Sequence, residues 1–194
     1  MAAIDGLVTQ AQRHKRALHI SPEPRLRAVI LTCMDARIDP AAVFGIEPGD
    51  VHVLRNAGAR ATPDVLRSVA LSQAILGTRE VLVMGHTGCG LLKRTESELS
   101  EAIRSASGEV PAMVWGGFHD LDGSVAEAVE TLAACRFIAH RSHIRGFIYE
   151  LETGVVRPAG EAQSSRAVTH NRAPLSGLGG LRADVLNLRR ESRR

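Results

Sequence analysis

The chain has 194 residues, of which 44% are hydrophobic and only 3% aromatic. That length suits one domain with a core of Ala, Val, Leu and Ile, and no apolar run is long enough for a membrane-spanning helix. The formal net charge of +3 is uneven: residues 161–194 carry seven arginines against three acidic residues, a net charge of +4, which leaves the rest near −1. The basic balance therefore describes a tail, read as a solvated extension; nucleic acid is not the expected partner. Three cysteines make no disulfide framework, and the N-terminus has no basic-then-apolar leader. A reducing cytoplasm is the expected compartment, since thiols there stay free for metal.

Residues 5–18 place Leu7, Val8, Ala11, His14 and Leu18 at helical spacing, which predicts an amphipathic helix. Ser21-Pro22-Glu23-Pro24 ends it, because proline and the residue before it resist helix. Residues 1–24 thus form a helical arm, free either to pack on its own domain or on a partner. The apolar run at 27–32 predicts a buried strand, and Cys33, Asp35 and Arg37 follow at its carboxyl end. A short helical stretch at 41–44 leads through Gly45 and Pro48-Gly49-Asp50, both turn signals, to a second strand at 51–55.

Asn56-Ala57-Gly58-Ala59 is a loop of small residues that lets backbone N–H groups approach a ligand. Thr62-Pro63 opens a helix through Leu76, with Val65, Val69, Ser72, Ile75 and Leu76 on one stripe and Gly77 as its stop. A third strand at 80–85 runs into His86-Thr87-Gly88-Cys89-Gly90. This strand–helix–strand order implies parallel pairing with a right-handed crossover. Residues 91–106 read as helix, 107–123 as a glycine-rich loop, and Ser124-Val-Ala-Glu127 as a capping box opening a helix to about His140. A last strand spans 146–151, Thr153-Gly154 turns the chain, and a short helix is expected at 181–188. The predicted architecture is α/β: a central, mostly parallel sheet flanked by helices, with the N-terminal helical arm, a domain over 25–160 and the basic extension 161–194.

Two strand ends offer Cys33, His86 and Cys89. Two thiolates and one imidazole are a zinc donor set that leaves a fourth position open. A zinc-bound water ionises near neutral pH and becomes a nucleophile. Asp35 and Arg37, two apart, share one side of an extended segment. An ion pair between them keeps Asp35 charged and oriented. Asp35 then either accepts a hydrogen bond from the zinc-bound hydroxide or becomes the fourth ligand and shuts the site, with Arg37 competing for it. A nucleophilic cysteine with His86 as base is the other enzymatic reading, and a purely structural zinc is the non-catalytic one. Cys135 reads as a small buried hydrophobe. His52, in a strand, and the remaining histidines outside the motif have no ligand spacing.

Cys33-Met-Asp35-Ala-Arg37, Arg55-Asn56-Ala57-Gly58 and Gly85-His86-Thr87-Gly88-Cys89-Gly90, in this order, resemble the β-class carbonic anhydrases, most closely their compact bacterial branch. The resemblance reaches from residue 1 to about 158, including Arg145-Gly146-Phe147. It implies a zinc ion held by Cys33, His86 and Cys89, reversible hydration of CO₂ to bicarbonate and a proton, and a homodimer or tetramer. Asp35 would orient the hydroxide, or ligate zinc in a closed state only, and Arg37 would free Asp35 from the metal. Ala57, Gly58 and Gly90 would line the substrate pocket, with Phe44 and partner residues among its apolar walls. The N-terminal helix would embrace the partner. The same motif also resembles carbonyl sulfide and carbon disulfide hydrolases, which attack close analogues of CO₂.

Overall fold

The computed structural model describes residues 2–14, 17–109 and 112–160. The basic extension 161–194, with the helix expected at 181–188, lies outside the described residues. Five strands form one sheet in the order β2-β1-β3-β4-β5. They are β1 (Ala28–Cys33), β2 (His52–Asn56), β3 (Glu80–His86), β4 (Ile144–Glu150) and β5 (Val155–Pro158). The first four are mutually parallel, and β5 returns antiparallel to β4. The mixed sheet flanked by helices is the expected α/β architecture. One detail differs: β2 and β3 do not pair with each other, because β1 lies between them. The edge strand β5 was not foreseen, since Val155–Pro158 is too short and too proline-marked to read as a strand.

Side chains alternate across the sheet. Val29, Leu31, Val81, Val83 and Ile148 face a core closed by α3 (Pro63–Leu76) and α5 (Leu121–Ala134). α5 lies close to the sheet because β3 and β4 each present a glycine there: a Cβ on Gly85 would come 2.7 Å from Val125, and one on Gly146 would come 2.6 Å from it. The opposite face carries a second cluster containing Cys33, Ile38, Met84, Cys89 and Phe118, with Phe44 of α2 (Pro40–Phe44) packed on it. Beside that cluster a cavity of about 220 Å³ is lined by residues including Ala28, Ile30, Phe44, Ile46 and Leu82.

Helix boundaries moved for identifiable reasons. The N-terminal helix α1 spans Ala3–Arg13 and buries no residue, leaving Ile4, Leu7 and Val8 exposed; Leu18 and Ile20 lie beyond it in non-helical chain. α4 begins at Glu96 rather than at 91, because Thr95 and Glu98 form a reciprocal capping box. α5 begins at Leu121 under the Asp120 cap and ends at Ala134. The expected box at Ser124 and Glu127 does not cap anything: both side chains accept hydrogen bonds from the Arg60 guanidinium. In α3, Ile75 is 68% exposed and Gln73 takes the buried position, where its amide accepts from His140 N–H and donates to the His140 carbonyl.

Gly85→Ala forces a methyl against Val125 and Leu121 and lowers unfolding stability by about 1–3 kcal/mol, read from urea midpoints at unchanged slope. Asp122, in the first turn of α5, takes two hydrogen bonds from Arg157 of β5 and one from Gly160 N–H. The Arg157 guanidinium holds its carboxyl below the usual range. The folded state then binds fewer protons than the unfolded one, so this contribution is present above the ordinary Asp range near pH ~4 and is lost below it. Thermal unfolding of the wild type should lose more stability on acidification below pH ~4 than that of Asp122→Asn; parallel curves would refute this.

Candidate metal centre

β1 and β3 pair from Ala28↔Glu80 to Thr32↔Met84. Their carboxyl ends therefore lie side by side, and Cys33 and His86 are the last residues of each. Cys89 follows in the loop after β3. The ligand atoms of Cys33, His86 and Cys89 all lie within 4.8 Å of one another, and all three residues are buried. The sheet order also explains the location. The chain leaves β1 toward β2 on one side and leaves β3 toward β4 on the other, and such a reversal opens a crevice at the carboxyl ends of an open α/β sheet.

The donor set fits a soft-to-borderline dication on its own chemistry. His86 Nδ1 lies 2.9 Å from the Thr87 carbonyl. A carbonyl only accepts, so Nδ1 carries the proton and Nε2 presents its lone pair. That Nε2 is buried and has no hydrogen-bond partner, which is costly unless something occupies the position it faces. The two thiols are pushed in opposite directions. The Cys89 thiol beside it, His86 and the Gly58 N–H at 3.4 Å draw the Cys33 thiol down, whereas Cys33 and burial push Cys89 up. One negative charge shared by two sulfurs becomes two thiolates only when a cation neutralises them. Zinc, with two sulfur ligands and one nitrogen ligand, matches this set.

Asp35 and Arg37 come together, although not in the extended segment expected. Ile38 N–H donates to the Asp35 carbonyl, closing a turn over 35–38. Asp35 Oδ1 accepts from Arg37 N–H at 3.0 Å and from Nε at 2.9 Å, and Oδ2 accepts from Nη2 at 2.7 Å. Arg37 hydrogen bonds hold the carboxyl well below the usual range. Arg37 Nη2 also donates to the Gly88 carbonyl, so the guanidinium ties the two motif loops together. Asp35 Oδ2 stands 3.8 Å from His86 Nε2.

The small-residue loop sits beside the sulfurs. Gly58, at φ 76°, uses the left-handed region that its missing side chain permits. A Cβ there would come 3.1 Å from Leu91 and 3.5 Å from Phe118. Ala57 and Gly58 share a single 3₁₀ turn over Ala57–Ala59, and Gly90 borders open space.

Arg55 has no role readable from sequence beyond its place in a motif. Its Nε donates to the Cys33 carbonyl at 3.0 Å and its Nη2 to the Asp35 carbonyl at 2.7 Å, clamping the segment that carries both side chains. An arginine at the carboxyl end of β2 was the available signal. His52 and Cys135 lie away from the centre: His52 Nδ1 bonds Ser72 Oγ, and Cys135 closes the end of α5.

A family model described as carbonic anhydrase matches residues 28–114, which include Cys33, Asp35, Arg37, His86 and Cys89. The β-carbonic anhydrase 1 of Mycobacterium tuberculosis is 37% identical over 131 residues, 68% of this chain and 80% of that protein. A carbon disulfide hydrolase of Saccharolobus solfataricus is 43% identical over 155 residues, again spanning 68% of this chain and 76% of its own length. The crystal structure of a Streptococcus mutans carbonic anhydrase superposes with a TM-score of 0.76 at 35% identity, covering 82% of this chain and 98% of that one. Fold, donor set and relatives agree that the chain belongs to the β-class carbonic anhydrase family of enzymes.

Proposed function

We propose that this enzyme hydrates CO₂ reversibly to bicarbonate and a proton, with zinc held by Cys33, His86 and Cys89. The observation that carries this reading is the Asp35–Arg37 pair beside the three donors: a structural zinc site has no use for a charged carboxylate held 3.8 Å from a ligand nitrogen. Zinc held there supplies a Lewis acid that makes a nucleophile of water near neutral pH. The chain's own atoms orient the reaction. Asp35 keeps its charge through Arg37, and its Oδ2 would accept a hydrogen bond from the nucleophile and so orient it toward the substrate carbon. Arg37 holds Asp35 away from the donor set; were Arg37 displaced, Asp35 would be free to ligate zinc and close the site.

Ile38, Met84, Leu91 and Phe118 are apolar and suit an uncharged linear substrate while excluding bulk water. Ala57, Gly58 and Gly90 are assigned to the pocket rim. Carbon disulfide is the second reading, favoured by the relative at 43% identity that carries that name. It is likewise linear and uncharged with a central carbon open to nucleophilic attack, and carbonyl sulfide lies between the two. A reducing cytoplasm suits the three free cysteines.

The active form is assigned as a homodimer or a tetramer. Two apolar surfaces lack a partner among the described residues: the Ile4, Leu7 and Val8 face of α1, and the cavity over Ala28, Ile30 and Leu82. A second copy of the chain supplies each with the other. Deleting residues 1–20 should convert the assembly to monomers in light scattering; an unchanged mass would remove α1 from the interface.

Stopped-flow CO₂ hydration with zinc measured on the same sample tests the activity. The expected result is about one zinc per chain, activity rising from about pH 6.5 to 9, and loss of activity after chelation. Full zinc without hydration at any pH would overturn CO₂ as substrate and leave carbon disulfide and carbonyl sulfide to be assayed. Asp35→Ala should lower kcat/KM by ~10²-fold or more with zinc retained. Loss of zinc together with the fold would count against an orienting role.

A further inference from the structure

Between His86 and Cys89 the loop spends both of its peptide carbonyls on the centre. The Thr87 carbonyl accepts from His86 Nδ1, and the Gly88 carbonyl accepts from Arg37. The orientation of the imidazole therefore depends on the orientation of the Thr87 peptide. That residue is gripped from one direction, by the end of β4 and the turn after it. Thr87 N–H donates to the Tyr149 carbonyl at 3.0 Å. Leu151 N–H donates to Thr87 Oγ1 at 3.0 Å, and Oγ1 donates onward to Glu152 Oε2 at 2.8 Å. The hydroxyl thus uses its single proton on a carboxylate and its lone pair on a backbone amide.

We propose that Thr87 and Glu152 are positioning residues for His86: the hydroxyl–carboxylate pair locks the Thr87 peptide, whose carbonyl holds the imidazole with its proton on Nδ1 and its lone pair on Nε2. This inference rests on reading Cys33, His86 and Cys89 as a zinc set. Glu152 is exposed, so its bond to Thr87 contributes little to global stability. Its effect is directed at a ligand instead. Partners one step behind a metal-binding histidine characteristically set metal affinity.

The test uses the full chain as wild type, Thr87→Val, Thr87→Ser and Glu152→Gln. Zinc affinity is read by competition with a chromophoric chelator, ligand geometry from the visible spectrum of the Co²⁺-substituted protein, and stability from the Tm of the metal-free protein. Thr87→Val should bind zinc ~10-fold or more weakly with an altered Co²⁺ spectrum. Thr87→Ser, which keeps the hydroxyl, should restore wild-type affinity, and Glu152→Gln should fall between. Metal-free Tm values should stay within about 2–4 °C of one another. Wild-type affinity and spectrum in Thr87→Val overturn the proposal, as does an affinity loss matched by a larger fall in metal-free Tm. Should Thr87→Val fail to fold, the additional variant Glu152→Ala decides, since it removes the exposed acceptor outright: unchanged affinity overturns the proposal. A wild-type chain that binds no zinc overturns the reading of the centre itself.

Discussion

The register between β1 and β3 governs everything at the site. Thr32 stands opposite Met84, so Cys33, one residue further along β1, and His86, two residues further along β3, reach the same crevice. A slip of one residue would shift the two donors by about 3.3 Å, the rise of one strand residue, and would turn core side chains to the wrong face. The register is held from behind. Gly85 and Gly146 let α5 sit against β3 and β4, and Val125, Ala128 and Leu132 of that helix fill the space above them. Packing on one face of the sheet thus sets a distance between sulfur and nitrogen at its edge.

Electrostatics at that edge follow from partial burial. Two thiols and an unpaired imidazole nitrogen are costly to remove from water without a cation, which makes this donor set a poor structural element and a good metal ligand. The groups that must stay charged are handled differently. Asp35 is paired with an arginine whose side chain is 57% exposed, so the cation keeps its hydration while the carboxylate is oriented. Arg55 acts on backbone instead of on charge, bracing the carbonyls of Cys33 and Asp35. Arg60 has a related role one turn away. It binds Ser124 and Glu127, joining the Gly58 loop to α5.

The two sheet faces are unequally covered. α3 and α5 close one; the other has the short α2, the metal-centre cluster and an open apolar cavity. The same chain carries a helix with an apolar face and no buried residue; in the proposed assembly the apolar area left in water at both places would be recovered together.

The sequence by itself determined the family, the strand order along the chain and the candidate donor set. Cys33, Asp35, Arg37, His86 and Cys89 were legible because short β-branched runs precede two of the motifs, and because thiol and imidazole at strand ends have few uses. The strands β1 to β4 were legible for the same reason, and Pro63 with Gly77 marked α3 from both ends. What the sequence did not contain is partner choice. Ser124 and Glu127 have the spacing of a helix cap, but Arg60, distant in sequence, takes both. Gln73 displaces Ile75 from the interior because His140 supplies its two hydrogen bonds. Thr87, Glu152 and Arg55 find their hydrogen-bond partners only when β4 and β2 are brought alongside the motif loops. Local spacing fixes which face a side chain can use; only the folded sheet decides which polar group, tens of residues away, will be there to meet it.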